Sequence, residues 1–207
     1  SLVGSEMCIR DRLGADTAGS RYLDPDGSFP NHIPNPENEA AMQSILDAVQ
    51  ESKADLGIIF DTDVDRAGAV LSDGTELNRN RIIAMMAAIL LREHPGTTIV
   101  TDSITSTGLA AFIRKHGGVH HRFKRGYRNV INESMRLNRE GHDSQLAMET
   151  SGHGALKENY FLDDGAYLVT RLLIELARAK KEGYTLESLI ALSLIHISEP
   201  TRLALIS

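Results

Sequence analysis

Three aspartates at alternate positions, followed directly by an arginine, are the residues of this chain best suited to chemistry. Asp61, Asp63 and Asp65 come after the short apolar run 56–60, and Arg66 is next in sequence. Such a run predicts a strand, so the carboxylates lie at the end of that strand and in the turn beyond it. Carboxylate oxygens suit a hard divalent cation such as Mg²⁺, which completes its shell with water or phosphate oxygens. Beside an arginine, they predict a magnesium site that handles phosphate.

Two simpler interpretations of this acidic motif can be compared with the sequence. An EF-hand calcium loop has a similar aspartate spacing, but it requires a glycine where this chain has Arg66 and a glutamate where it has Ser72. The EF-hand is therefore excluded. A solvated acidic turn without a ligand stays open. The preceding strand favours a binding site over that turn, because α/β proteins bind ligands where strands end at the carboxyl edge of a sheet.

A second group of polar residues follows another apolar stretch, 146–148. Glu149, Ser151 and His153 offer an acceptor, a donor and a group that titrates near neutral pH, and the glycines among them let a ligand approach the backbone closely. This combination suits a polyhydroxylated ligand. Taken alone, it is more typical of a solvated loop.

A basic turn forms the third group. Lys124 and Arg125 precede Gly126. Arginine binds phosphate through two parallel hydrogen bonds and lysine binds it as a point charge, so the turn could hold a phosphate. A solvated basic turn is the alternative.

Taken together, the motif DTDVDRAG at 61–68 and the motif ETSGH at 149–153 resemble the metal-binding and sugar-binding loops of the α-D-phosphohexomutase family, the phosphomannomutases and phosphoglucomutases. Segment 24–37 is similar to part of the family's second domain, and 163–165 resembles its acidic turn leading into a helix. The resemblance covers most of the second domain and essentially all of the third domain of a four-domain enzyme.

The resemblance implies a function and a set of roles. Such enzymes are isomerases that use Mg²⁺ to move a phosphoryl group between the 1- and 6-positions of mannose or glucose phosphate, through a phosphoserine and a bisphosphate intermediate. Mg²⁺ is then expected on Asp61, Asp63 and Asp65, with Arg66 assisting catalysis. The expected substrate-binding residues are Glu149, Ser151, His153, Lys124 and Arg125.

The chain also departs from the family pattern. It contains no Thr-x-Ser-His-Asn-Pro segment, which in the family carries the phosphorylated serine. We therefore expect this segment to be inactive by itself. Tyr127 and Ile104 stand where some members have a histidine and a lysine, which leaves the general acid/base and the preferred hexose unassigned.

Hydrophobic periodicity and turn residues predict alternating helices and strands. The predicted helices are 39–51, 79–92, 106–115, 128–139 and 166–181, and the predicted strands are 56–60, 67–71, 98–101, 119–123 and 145–148. This alternation predicts an α/β fold of two consecutive layered α/β/α domains with largely parallel sheets. The domains are predicted at 13–77 and 78–191.

The two ends of the chain indicate a DNA origin rather than a fold. A permitted set of codons for 2–11 has a reverse complement that reads, in frame, as 192–201. Segments related through opposite DNA strands resemble the inverted adapter of a transposase-based sequencing library. We therefore expect 1–12 and 192–207 to be translated adapter. The first tail contains Cys8, the only cysteine, so no disulfide is expected.

Composition limits the remaining function classes. A formal net charge of −6 argues against nucleic-acid binding, and no apolar segment is long enough to span a membrane. A cytoplasmic location is the default expectation. Two other functions stay open: a phosphatase with Asp61 as nucleophile and Asp163 with Asp164 as downstream carboxylates, or a non-catalytic domain that binds sugar phosphates.

Overall fold

The structure, a computed structural model, describes residues 14–24 and 26–191. The predicted adapter tails lie outside these residues. In chain order the elements are α1 (Glu39–Ser52), β1 (Leu56–Phe60), β2 (Ala67–Leu71), β3 (Glu76–Leu77), α2 (Arg79–Glu93), β4 (Thr98–Asp102), α3 (Thr107–Lys115), β5 (Val119–Phe123), α4 (Tyr127–Arg139), β6 (Ser144–Met148), β7 (Gly154–Leu156), a 3₁₀ helix (Lys157–Asn159), α5 (Gly165–Glu182) and α6 (Leu186–Ile190).

The first sheet is an antiparallel sheet in the order β1-β2-β3. Phe60 at the end of β1 pairs with Ala67 at the start of β2, so the acidic loop 61–66 is the connection of a hairpin. Such a short connection cannot return the chain to a parallel neighbour, which needs a crossover of a dozen or more residues. Every residue of β2 is buried, because α1 packs on one face of this sheet and α2 on the other.

The second sheet has the order β5-β4-β6-β7, and β4 runs parallel to both of its neighbours. β7 is antiparallel to β6 and follows it through the short loop 149–153. α4 packs against one face of the sheet, and α2, α3 and α5 pack against the other. The predicted α/β class is therefore confirmed. The parallel pairing is found in this second sheet, while the described part of the first sheet is antiparallel.

Helix α2 joins the two sheets. Its buried residues lie all around the helix, from Ile82 and Ile83 to Leu90 and Leu91. They belong to one apolar cluster that reaches β2 and β3 of the first sheet and β4 and β6 of the second. A helix that is apolar on all sides is stable only inside a core. Because α2 is shared, the two sheets and the loops at their ends are held in one arrangement.

Side-chain caps fix the residues at which α5 and α3 begin. Asp164 precedes α5 and accepts a hydrogen bond from Tyr167 N at 2.9 Å, which makes it the N-cap. Ser106 plays the same part for α3 through Leu109 N. None of the helices in the described part of the chain is long and apolar enough to cross a membrane.

Candidate functional site

The acidic loop brings its three aspartates together as the sequence predicted. One carboxylate oxygen from each of Asp61, Asp63 and Asp65 lies within 4.8 Å of the others. Val64 between them has a positive φ of 66°, which turns the loop back toward β2. Asp61 is buried, Asp65 is half-buried and Asp63 is exposed, so the group is open to solvent on one side. This arrangement can hold a cation.

Arg66 and Asp61 form the inner wall of this loop. Arg66 donates to the two Asp61 carboxylate oxygens, from its backbone N at 3.2 Å and from Nε at 2.6 Å. The Asp61 side chain is only 2 % exposed. Burial alone would raise the pKa of Asp61, but the hydrogen bonds and charge of Arg66 outweigh it and lower that pKa. Asp61 is therefore ionised at neutral pH.

Asp65 is the member of the group whose ionised form is least favoured by its surroundings. Burial, together with the Asp61 and Asp163 carboxylates, raises its pKa to about 6 against the opposing charge of His153. Its Oδ1 is buried and has no hydrogen-bond partner among the described residues. An orphaned carboxylate oxygen is costly, and a bound cation would satisfy it. Three hard oxygen donors with one unsatisfied oxygen therefore fit a divalent cation such as Mg²⁺.

Glu149 links the second motif to the basic turn. Its Oε1 accepts a hydrogen bond from Gly126 N at 2.5 Å, and its Oε2 accepts one from Ser151 Oγ at 3.2 Å. The structure thus brings Glu149 and Ser151 together with the turn that carries the exposed residues Lys124 and Arg125. The contact with Gly126 has no sequence signal, because a backbone donor leaves no trace in residue type.

His153 is paired with Asp163, a residue of the acidic turn for which the sequence predicted no contact with His153. Its Nδ1 lies 2.8 Å from Asp163 Oδ2 and 3.5 Å from Asp65 Oδ2. Burial works to lower the pKa of His153, but the hydrogen bond to Asp163 and the charges of both carboxylates outweigh it and raise that pKa. The ring also stacks on Tyr127, with centroids 4.8 Å apart.

The two loops meet through backbone contacts. Arg66 forms an isolated antiparallel bridge with His153, and Ala67 N donates to Gly152 O at 3.5 Å. Gly165, the first residue of α5, donates from its N to Val64 O at 3.0 Å. As a result Asp65 belongs to two possible metal-ligand groups, one with Asp61 and Asp63 and one with His153 and Asp163. We refer to this meeting of loops 61–66 and 149–153 as the seam.

The seam tolerates no side chain at Gly165. A Cβ there would lie 2.8 Å from Val64 O and 3.0 Å from the Arg66 carbonyl carbon. We expect Gly165→Ala to lower the free energy of unfolding by about 1–3 kcal/mol, because overpacking against backbone cannot be relieved by a rotamer change. Chemical denaturation of the 207-residue chain measures this. Gly27→Ala is the matched control, since a Cβ at Gly27 meets nothing within 4 Å; equal losses in both variants would contradict the tight seam.

Comparisons with known proteins show the family of this chain. The family models described as phosphoglucomutase/phosphomannomutase alpha/beta/alpha domains II and III match residues 6–74 and 78–193. The phosphomannomutase/phosphoglucomutase of Pseudomonas syringae pv. tomato is 36% identical over 164 residues, which are 79% of this chain and 34% of that protein. A phosphoglucomutase of Neisseria meningitidis serogroup A is 33% identical over 169 residues, 81% of this chain and 36% of that protein.

A solved structure is similar to the same family. The phosphoglucomutase/phosphomannomutase family protein of Burkholderia thailandensis superposes with a TM-score of 0.75 at 32% identity, covering 86% of this chain and 38% of that chain. This chain therefore spans about a third of the length of the relatives it matches. On the two domain matches, the relatives and the shared fold, the chain belongs to the phosphoglucomutase/phosphomannomutase family.

Proposed function

We propose that the protein carrying this chain is an Mg²⁺-dependent phosphohexomutase that interconverts the 1- and 6-phosphates of a hexose, mannose or glucose, through a bisphosphate intermediate. The observation that carries the proposal is the seam, where three candidate metal carboxylates lie against a histidine and the sugar-loop residues. Phosphoryl transfer to a sugar hydroxyl needs charge neutralisation and proton removal at one place. The seam offers groups for both.

The metal site follows from the acidic loop. Asp61, Asp63 and Asp65 would hold Mg²⁺, which when bound neutralises charge on the transferring phosphoryl group. Arg66 adds a guanidinium beside them. Its Nε donates to Asp61 and its Nη1 donates to Asn35 Oδ1 at 3.3 Å, so the guanidinium is held at two nitrogens. A guanidinium held in place stabilises developing phosphate charge without reorganising.

His153 is the group best placed to move a proton. Its Nδ1 donates to the Asp163 carboxylate, so in the neutral ring Nε2 carries the free lone pair. In the proposed reaction a sugar hydroxyl attacks the phosphoryl group of a phosphoserine elsewhere in the protein. The new P–O bond forms as the serine P–O bond breaks. The hydroxyl proton passes to His153 Nε2, and the released serine oxygen takes a proton from solvent. Asp163 stabilises the imidazolium that results.

The sugar and its distal phosphate would bind next to this centre. Glu149 and Ser151 would hold sugar hydroxyls, and Lys124 with Arg125 would bind the phosphate that is not being transferred. The bond from Gly126 N to Glu149 supports this division, because it fixes the basic turn beside the sugar loop. A site that binds sugar hydroxyls at one point and phosphate at another accepts the substrate in either orientation.

A phosphatase with Asp61 as nucleophile fits the geometry less well. Both carboxylate oxygens of Asp61 accept hydrogen bonds from Arg66, and the side chain is 2 % exposed. An attacking carboxylate needs a free oxygen facing the phosphorus. Each oxygen keeps a second lone pair that can bind a metal ion, so the buried Asp61 suits metal binding better than attack on phosphorus.

Mg²⁺ should stabilise the chain through the acidic loop. Ligand binding to the folded state raises stability by about 2.7 kcal/mol when the free ligand is a hundredfold above Kd. We expect scanning calorimetry of the 207-residue chain to show a higher unfolding midpoint with Mg²⁺, and this response to vanish when Asp61, Asp63 and Asp65 are all replaced by Asn. A variant with Glu39, Glu140 and Glu182 changed to Gln removes the same number of negative charges from exposed positions elsewhere and should keep the response.

The Mg²⁺ response should also depend on pH. Because the folded-state pKa of Asp65 is about 6, above its ordinary value, Asp65 without metal favours the folded state most at low pH and loses that contribution as pH rises through 6. Mg²⁺ requires the ionised carboxylate. Its effect on the midpoint should therefore be larger at pH 7.5 than at pH 5. An identical Mg²⁺ shift in the triple Asn variant would contradict the metal assignment.

The remaining sequence predictions stay predictions. They are the domain limits 13–77 and 78–191, the adapter origin of 1–12 and 192–207, the cytoplasmic location and the inactivity of this segment by itself. The family matches overlap the predicted tails by a few residues at each end.

A further inference from the structure

Tyr127 lies face to face with the imidazole of His153. The ring centroids are 4.8 Å apart and the planes differ by 19°. Aromatic rings at this distance attract one another beyond the effect of the area they bury. Tyr127 is the first residue of α4, and His153 lies in the loop between β6 and β7, so the contact joins two elements that are separated in sequence.

Tyr127 is itself held at both ends. Gly126, directly before it, has a φ of 115° and donates its N–H to Glu149, which fixes the backbone at the start of α4. At the other end, the Tyr127 hydroxyl oxygen accepts a hydrogen bond from Arg128 Nε at 3.0 Å. The Tyr127 ring is therefore a fixed surface.

Asp163 and Tyr127 restrain the imidazole in complementary ways. Asp163 binds the ring edge at Nδ1, which sets the tautomer but lets the ring tilt about that hydrogen bond. Tyr127 covers the ring face and opposes the tilt. The two contacts together determine where Nε2 points.

We propose that Tyr127 is a positioning residue for the reaction, acting through its ring to hold His153 Nε2 toward the sugar hydroxyl. This inference rests on the proposed function. It gives Tyr127 a role that needs the aromatic face and not the phenol proton. A base misplaced by about 1 Å can cost roughly a hundredfold in rate, so a single stacking contact can matter to catalysis.

The first test observes the imidazole directly and needs no enzyme activity. In the 207-residue chain labelled at histidine, the His153 ring resonances are compared in wild type, Tyr127→Phe, Tyr127→Leu and the control Tyr160→Leu. Tyr160 is 85% exposed. We expect Tyr127→Leu to remove the upfield ring-current shift of the His153 ring resonances. Tyr127→Phe should keep this shift. Tyr160→Leu should leave the His153 resonances as in wild type. Dispersed amide resonances confirm folding in each variant.

The second test measures kinetics in the whole protein that carries this chain. We expect Tyr127→Leu to lower kcat by roughly 10- to 100-fold with KM nearly constant, and Tyr127→Phe to recover most of that loss. Equal loss in Tyr127→Phe would overturn the proposal, because an aromatic ring at this position would then not be enough to position His153. An unshifted His153 in Tyr127→Leu would overturn it as well. If the resonances respond as expected but the wild type shows no mutase activity, the stacking is supported and the proposed function falls.

Discussion

Replacing His153 with alanine should lower kcat of the whole enzyme by about 10²- to 10⁴-fold, the contribution expected of a general base. The substitution removes the one imidazole that lies at the seam and is paired with Asp163. KM should change little, because the proton moves only in the transition state. Steady-state kinetics with glucose 1-phosphate and Mg²⁺ measure both constants.

Two variants sharpen this prediction. His142→Ala changes an exposed histidine outside the site and should keep full activity. Asp163→Asn keeps an acceptor for Nδ1 but removes the charge that stabilises the imidazolium, so its loss should lie between those of the two histidine variants. Wild-type kcat in His153→Ala would show that another group moves the proton.

Replacing Glu149 with alanine should weaken transition-state stabilisation by roughly 2–4 kcal/mol, seen as a fall in kcat/KM. Two losses contribute. Sugar hydroxyls would lose their charged acceptor, and Gly126 N would lose the buried carboxylate that holds the basic turn.

A glutamine variant separates these two contributions. Glu149→Gln retains an oxygen that can accept from Gly126 N, so it should restore the turn while still lacking the charge. We expect its kcat/KM to lie between those of wild type and Glu149→Ala. Glu182→Ala removes an exposed glutamate at the end of α5 and should have no effect. Unchanged kcat/KM in Glu149→Ala would exclude the sugar-binding role of this loop.

The sequence predicted the long elements of the fold well, because their signals are local. β1, β2 and β5 have the predicted bounds, and α2 differs only by ending one residue later, at Glu93. Ser106 was predicted inside α3 and is its N-cap. The short elements β3, β7 and α6 went unpredicted. Two or three strand residues show no periodicity, and they are extended only because a neighbouring strand pairs with them.

The candidate site was predictable in its parts and unpredictable in its assembly. The spacing of Asp61, Asp63 and Asp65 on one turn already implies proximity. The pairing of His153 with Asp163 depends on how the β6–β7 loop and the start of α5 pack. Such contacts arise from tertiary structure, so the sequence carries no signal for them.

The most direct test of the proposed function follows the fate of the phosphoryl group. The whole protein that carries this chain is incubated with glucose 1-phosphate and Mg²⁺, and ³¹P NMR distinguishes glucose 6-phosphate from inorganic phosphate. We predict conversion of the 1-phosphate to the 6-phosphate without stoichiometric release of inorganic phosphate. Steady release of inorganic phosphate that disappears in Asp61→Asn would identify an aspartate-nucleophile phosphatase, and binding without either product would identify a non-catalytic domain. Both results would contradict the phosphohexomutase function.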